Sequence, residues 1–183
     1  IENERTISPI KERSPAHTNS RNSSFVSYKI DSSKNGYGAF LEFLSKRSAD
    51  DIWSYYGYDV SNEVIKFCKE KYSQGAAFYT GSIPTFTAEF IIMSGTYNFF
   101  PTKDYNSWRL YFYRSLKTLW SKTTCAMIFN LQTSDQEKIT DGGIVYNSKE
   151  EIENFCKSHF GNVKVVINPA IPKDVTFVIK KWA

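Results

Sequence analysis

Segments with the apolar spacing of strands alternate with segments that have the spacing of helices, from residue 25 to the end of the chain. FVSYKI (25–30), TFTAEFIIM (85–93) and TTCAMIFNLQ (123–132) alternate apolar and polar residues, as half-buried strands do. The stretches between them repeat apolar residues every three or four positions, as one side of a helix does. This pattern predicts an α+β fold, with a mixed or antiparallel sheet of about six to seven strands and helices mainly on one face.

Two pairs of consecutive strands bear on the expected strand order. The strands expected at 76–80 and 85–93 are joined by a short turn, and the closing strands within 163–181 are joined by a proline-rich turn. Strands joined in this way are usually antiparallel neighbours. We therefore expect a mixed or antiparallel sheet in preference to a doubly wound parallel one.

Capping residues mark the expected helices. In the first half of the domain, one helix is expected over 37–46, a second after Ser48 with Trp53 and Tyr56 at helical spacing, and a third after Ser61.

The best-marked helix lies closer to the end of the chain. Ser148 and Glu151 match the S-x-x-E capping box, and Gly161 follows the last apolar residue as a stop signal. These signals predict a helix that begins just after Ser148 and ends at Gly161.

The segment NSWRLYFYRSLKTLW (106–120) is rich in both aromatic residues and cations, and its spacing separates two roles. At 100° per residue, one side of a helix carries Trp108, Phe112, Ser115, Leu116 and Leu119. The opposite side carries Leu110, Arg114 and Lys117. This division predicts a core helix that faces the sheet rather than a base-stacking platform, because such platforms usually form on sheets or loops.

A polar arm of residues 1–24 is expected to precede a single α+β domain of residues 25–183. The arm contains only three aliphatic residues larger than alanine, which is too few to offset its ordering entropy alone. Cations cluster at both ends of the chain and could contact a phosphate backbone or a protein partner. They are Lys11, Arg13 and Arg21 in the arm, and Lys173, Lys180 and Lys181 beside Trp182.

No motif in the sequence identifies a reaction, a cofactor or a metal site. The net charge is +4, and the 12 Tyr and 14 Phe exceed ordinary usage. These features favour a non-enzymatic binding or assembly protein, whose basic arm and Tyr-rich surface engage a protein, a second copy or a nucleic-acid backbone. The three cysteines have no disulfide or zinc spacing, and no apolar run could span a bilayer, so we expect an intracellular protein of the cytoplasm or nucleus.

An alternative function rests on Glu89, Arg109 and His159. Glu89 is a carboxylate in the middle of an expected strand, and Arg109 lies at the edge of an apolar helix side, where its guanidinium needs a partner. With Glu89 as base, Arg109 as phosphate clamp and a tyrosine or His159 as acid, the chain would be a small metal-independent nuclease or toxin-like enzyme. The structural alternatives are a surface Glu89, a His159 that meets a helix dipole, and an Arg109 that reaches a carboxylate or a carbonyl, stacks on Trp120 or extends outward to solvent.

Overall fold

A computed structural model of the protein describes residues 23–28, 39–47, 53–72 and 76–181, and the fold is given for those ranges. The helices are α1 (Ala39–Arg47), α2 (Asn62–Lys71), α3 (Tyr105–Lys122) and α4 (Lys149–Phe160). The strands are β1 (Ser23–Tyr28), β2 (Trp53–Asp59), β3 (Ala76–Thr80), β4 (Ala88–Met93), β5 (Thr123–Gln132), β6 (Lys138–Ile139), β7 (Val145–Tyr146), β8 (Val163–Ile167) and β9 (Asp174–Lys180). No helix within these ranges is long and apolar enough to cross a membrane.

A seven-stranded sheet is formed by the described strands in the order β3-β2-β1-β4-β5-β9-β8. The strands from β1 to β5 pair in parallel, and β9 is antiparallel to both of its neighbours, β5 and β8. The short strands β6 and β7 form a separate antiparallel hairpin. The prediction of a mixed sheet combined with helices is confirmed at this coarse level, and so is the antiparallel pairing of β8 with β9. The preference for such a sheet over a doubly wound parallel arrangement is wrong for β1 to β5, which are all parallel.

The parallel strands are added to the sheet on both sides of β1. The chain first passes through α1, β2 and α2 to the edge strand β3, and it then returns to the other side of β1 as β4 and continues through α3 to β5. Because crossovers between parallel strands are right-handed, opposite directions of travel place the helices on opposite faces.

The two faces of the sheet bury two separate clusters. Tyr56, Ile91 and Met127 share a row across the sheet through β1 and pack in the cluster that contains the buried residues of α3 and α4. Tyr55 points the other way and packs with residues of α1, α2 and β3. The prediction that helices lie mainly on one face is therefore wrong, because the hydrophobic spacing of each helix does not reveal the direction of its crossover.

Helix α3 is the core helix that its spacing predicts. Trp108, Phe112, Leu116 and Leu119 are each 0% exposed, whereas Leu110 is 53% exposed. Asp104 caps the helix by accepting a hydrogen bond from the Ser107 amide at 3.2 Å. The indole N–H of Trp108 donates to the Tyr97 carbonyl at 3.0 Å, so the buried ring keeps its polar atom satisfied.

Two local predictions in the first half of the domain are wrong. The segment after Ser48 forms strand β2 rather than a helix, because alternate residues of this strand are buried on both faces and its apolar residues lack a strict period of two. Strands β3 and β4 are not neighbours either: β3 is at the edge, and β4 lies between β1 and β5. A short connection between two strands therefore does not establish that they pair.

Candidate functional site

The carboxyl ends of β1 and β4 form the position in this sheet at which a ligand site is expected. The strand order reverses between these two strands, and in open parallel sheets ligands bind in the crevice outside such a switch point. Tyr28 and Met93, the last residues of β1 and β4, are direct partners. The carboxyl ends of β1 and β4 therefore lie side by side. The residues after β1, KIDSSKNGYG (29–38), lie outside the described ranges.

Asp59 is the last residue of β2, the neighbour of β1, and only 7% of it is exposed. Its Oδ1 accepts a hydrogen bond from the Ser61 amide at 2.8 Å, and its backbone carbonyl accepts one from the Gly81 amide at 2.9 Å. Burial raises the pKa of the Asp59 carboxyl, although the Ser61 and Val60 amides act in the opposite direction. A nearly buried carboxylate at this position is a strong acceptor for the hydroxyl groups of a ligand.

Val60 follows Asp59 and presents an apolar side chain that is 52% exposed. Ser61 then caps α2 by accepting a hydrogen bond from the Val64 amide at 3.3 Å. The strand end therefore offers a carboxylate and an apolar surface in adjacent positions. Such a pair suits a ligand that has a hydroxylated part next to a flat apolar part.

Side-chain amides connect the carboxyl ends of β4 and β5 to the β6–β7 hairpin. Asn98 accepts from the Gln132 amide through its Oδ1 at 3.0 Å and from the Val145 amide through its carbonyl at 3.0 Å. The fully buried Asn147 donates both its backbone and its side-chain N–H to the Gln132 carbonyl. Tyr105 of α3 donates to Asn147 Oδ1 at 3.2 Å. These bonds fix the hairpin to the same edge of the sheet as the switch point.

A charged cluster joins α3, α4 and the segment that leads into β6. Arg109 forms an ion pair with Glu151 at 3.1 Å, and Tyr113 donates to the same carboxylate at 3.3 Å. Glu137 also shares a hydrogen bond with Glu151, which raises the pKa of Glu137 to about 7. The pKa of Glu151 is lowered, first by that bond and then by Arg109. The two carboxyls therefore hold one proton between them below about pH 7.

The residues proposed for a nuclease do not form one site. Arg109 contacts Glu151 and Asn106, and His159 contacts Ser158 and the Phe155 carbonyl. Glu89 lies near the start of β4, whereas Arg109 lies in α3 soon after that strand has ended. Because α3 begins beyond the carboxyl end of β4, whereas Glu89 lies near its amino end, the two side chains lie at opposite ends of the strands.

The cations assigned to a binding surface are described only in part. Lys173, Lys180 and Lys181 are exposed, and Lys181 Nζ lies 4.9 Å from the centre of the Trp120 ring. Lys11, Arg13, Arg21 and Trp182 lie outside the described residues, as does the polar arm up to residue 22. The division into an arm and one domain therefore stays a prediction. The tyrosines are not simply a surface feature, because Tyr55, Tyr58 and Tyr97 are buried.

Sequence reasoning missed Asp59 because it assigned the preceding residues to a helix. The signal that could have identified it is an acidic residue between an aromatic-rich strand and the Ser61 cap of the next helix. No group of three or more potential metal ligands occurs in the part of the chain that the structure describes.

Several known structures with a similar fold contain bound S-adenosylmethionine (SAM) or its product S-adenosylhomocysteine (SAH). The structure of magnesium protoporphyrin IX methyltransferase from Synechocystis PCC 6803 with bound SAM has a TM-score of 0.60 and 10% identity, over 87% of this chain and 70% of that one. A SAM-dependent methyltransferase from Aquifex aeolicus has a TM-score of 0.53 and 16% identity, over 86% of this chain and 80% of that one. These similarities show the fold.

A third similar structure is named for a different reaction. A pericyclic reaction enzyme has a TM-score of 0.61 and 9% identity, but this chain covers only 43% of its length. One fold can therefore carry different chemistry. No protein-family model matches the sequence, and no curated protein matches it.

The comparisons overturn the expected function. The similar structures include several SAM-dependent methyltransferases, so the prediction of a non-enzymatic, nucleic-acid-binding or assembly protein is wrong. The alternative of a nuclease centred on Glu89 and Arg109 is wrong as well, because Glu89 lies near the start of β4 whereas Arg109 lies in the helix that begins beyond the end of this strand. The prediction relied on the absence of catalytic motifs. In open parallel sheets, however, ligands bind outside the carboxyl ends of the strands, and such a site needs no local motif that names a reaction.

Proposed function

We propose that the protein binds SAM at the carboxyl ends of β1, β2 and β4 and catalyses the transfer of its methyl group to an acceptor. The observation that carries the proposal is the position of Asp59, a nearly buried carboxylate at the end of the strand beside the switch point. The similar methyltransferase structures support the choice of ligand. SAM supplies a methyl group on a positively charged sulfur, which is already reactive toward a nucleophile.

Asp59 and Val60 fit two different parts of SAM. The Asp59 carboxylate would accept hydrogen bonds from the two ribose hydroxyls, as acidic residues at strand ends do in nucleotide-binding sheets. The exposed side chain of Val60 would cover part of the adenine ring, which gains from apolar contact. Both contacts come from one strand end that the Ser61 cap holds in place.

The β4 end would contribute positioning rather than acid–base chemistry. A reactive sulfonium methyl group needs an acceptor held in line with the sulfur–carbon bond, and positioning of this kind can supply much of the rate enhancement. Ser94 and Gly95 follow β4 directly beside the end of β1, so they would form one wall of the cofactor site.

Calorimetric titration of the protein with SAH tests the proposal. We expect wild-type protein to bind SAH with 1:1 stoichiometry, and Asp59→Asn to weaken binding by about tenfold or more, because a hydrogen bond to a charged group contributes about 1.5–3 kcal/mol. Asp141→Asn is the matched control, since that carboxylate is exposed and pairs with Lys103. Undetectable SAH binding by the wild type, or equal affinities in all three proteins, would refute the proposed role of Asp59.

A further inference from the structure

A line of three residues connects strands β9 and β5 to the loop that follows β4. Asp174, the first residue of β9, accepts a hydrogen bond from Asn130 Nδ2 through its Oδ1 at 2.6 Å. Asn130 of β5 then accepts from the Gly95 amide through its own Oδ1 at 2.7 Å. These residues come from three different strands or strand ends, so the contact exists only in the folded sheet.

Asp174 determines which way the Asn130 side chain faces. An asparagine amide has one donor end and one acceptor end, and a carboxylate can only accept. With its NH₂ group directed at Asp174, Asn130 must present its oxygen to the opposite side, where the Gly95 amide needs an acceptor. The carboxylate therefore acts on the loop through the amide and does not contact the loop itself.

Gly95 adopts a backbone conformation that needs such support. Its φ is +69°, in the left-handed region that other residues rarely adopt. It is the second residue after β4, whose last residue Met93 pairs with the last residue of β1. A loop held in this conformation therefore borders the switch point directly.

We propose that Asp174 and Asn130 are positioning residues, which hold the loop at Gly95 in the conformation that forms the wall of the cofactor site. The part of this inference that concerns cofactor binding rests on the proposed function. Its structural part, the anchoring of the Gly95 amide, is independent of any ligand.

An exchange of the two side chains tests the proposal. Asn130→Asp alone removes the NH₂ group that donates to Asp174 and places two carboxylates against each other, so their repulsion displaces the side chain at position 130 from the Gly95 amide. In the double variant Asn130→Asp/Asp174→Asn, Asn at 174 donates to Asp at 130, which still accepts from Gly95, and the net charge equals that of the wild type. We expect the single variant to bind SAH about tenfold more weakly and the double variant to recover most of the affinity.

Hydrogen exchange of the Gly95 amide in the ligand-free protein provides a readout that does not depend on the cofactor. Protection should fall in Asn130→Asp and return in the double variant. Gly95→Ala and Gly161→Ala form a matched pair of controls, because both glycines have positive φ and open space where a Cβ would lie. Both should lose stability, but only Gly95→Ala should lose SAH affinity.

The outcomes separate this inference from the proposed function. Unchanged SAH affinity in Asn130→Asp, or a double variant no better than the single one, would overturn the positioning role while wild-type binding still supports the function. If the wild type binds no SAH, the proposed function fails. In that case Gly95 exchange decides the remaining question, and equal protection in wild type and Asn130→Asp would overturn the anchoring.

Discussion

Leu116→Ala should destabilise the protein strongly, whereas the same substitution at Leu110 in the same helix should not. Leu116 is 0% exposed and packs in the cluster between α3 and the sheet, whereas Leu110 is 53% exposed. Replacing leucine by alanine removes three carbons, each worth about 0.8 kcal/mol when fully buried. The cavity that remains adds to this loss, which brings the expected decrease in the free energy of unfolding to about 3–5 kcal/mol.

Urea denaturation followed by tryptophan fluorescence would measure both variants against the wild type. Leu110→Ala should stay within about 0.5 kcal/mol of the wild type, as exposed substitutions usually do. For a chain of this length, Leu116→Ala should also lower the melting temperature by about 6–20 °C. Equal losses in the two variants, or a larger loss at Leu110, would refute the orientation of α3 and with it the burial of its aromatic stripe.

Three further substitutions test individual contacts. Gly57→Ala should destabilise the protein by about 1–3 kcal/mol in urea denaturation, because a Cβ there would lie 2.5 Å from a ring carbon of Phe78; wild-type stability would contradict the close approach. Glu137→Gln should gain melting temperature relative to the wild type as pH rises from about 5 to 8, because the folded wild type holds a proton up to a pKa of about 7 that the unfolded carboxyl loses near its ordinary pKa, and the glutamine amide donates to Glu151 at any of these pH values. A difference in melting temperature between the two proteins that does not change with pH would contradict the shared proton. Asp59→Asn should gain stability relative to the wild type as pH rises above about 4, because burial raises the pKa of Asp59 and the folded state holds the ionised carboxylate at a cost. If the difference in stability between Asp59→Asn and the wild type is the same at pH 3 and pH 7, the ionised carboxylate carries no such cost.

Local signals in the sequence were sufficient for the elements that depend on neighbouring residues. The helix α4 begins after Ser148, which accepts a hydrogen bond from the Glu151 amide at 3.2 Å, and it ends at Gly161 with φ of +98°. The stripe of α3 and the strand β5 follow their predicted spacing for the same reason. In each case, the residues that define the element also determine which side is buried.

The candidate site could not be predicted, because strand pairing and crossover direction bring its residues together and a single sequence shows neither. Strand β2 is covered on both faces, so it shows no alternation, and its assignment to a helix hid the strand end at Asp59. Asn130 and Asp174 are 44 positions apart and meet only because β9 enters the sheet next to β5. The direction of the crossovers, which creates the switch point, is a property of the whole sheet rather than of any segment.

Amide chemical shifts of isotopically labelled protein, recorded during a titration with SAH, test the central claim most directly. The account predicts saturable shifts concentrated at the carboxyl ends of the parallel strands, at Asp59, Val60, Ser94 and Gly95. Residues at the opposite edge of the sheet, such as Glu89 and Cys125, should stay unchanged. Saturable shifts elsewhere with none at Asp59 or Gly95, or no shifts at millimolar SAH, would contradict the claim that this sheet edge is a SAM site.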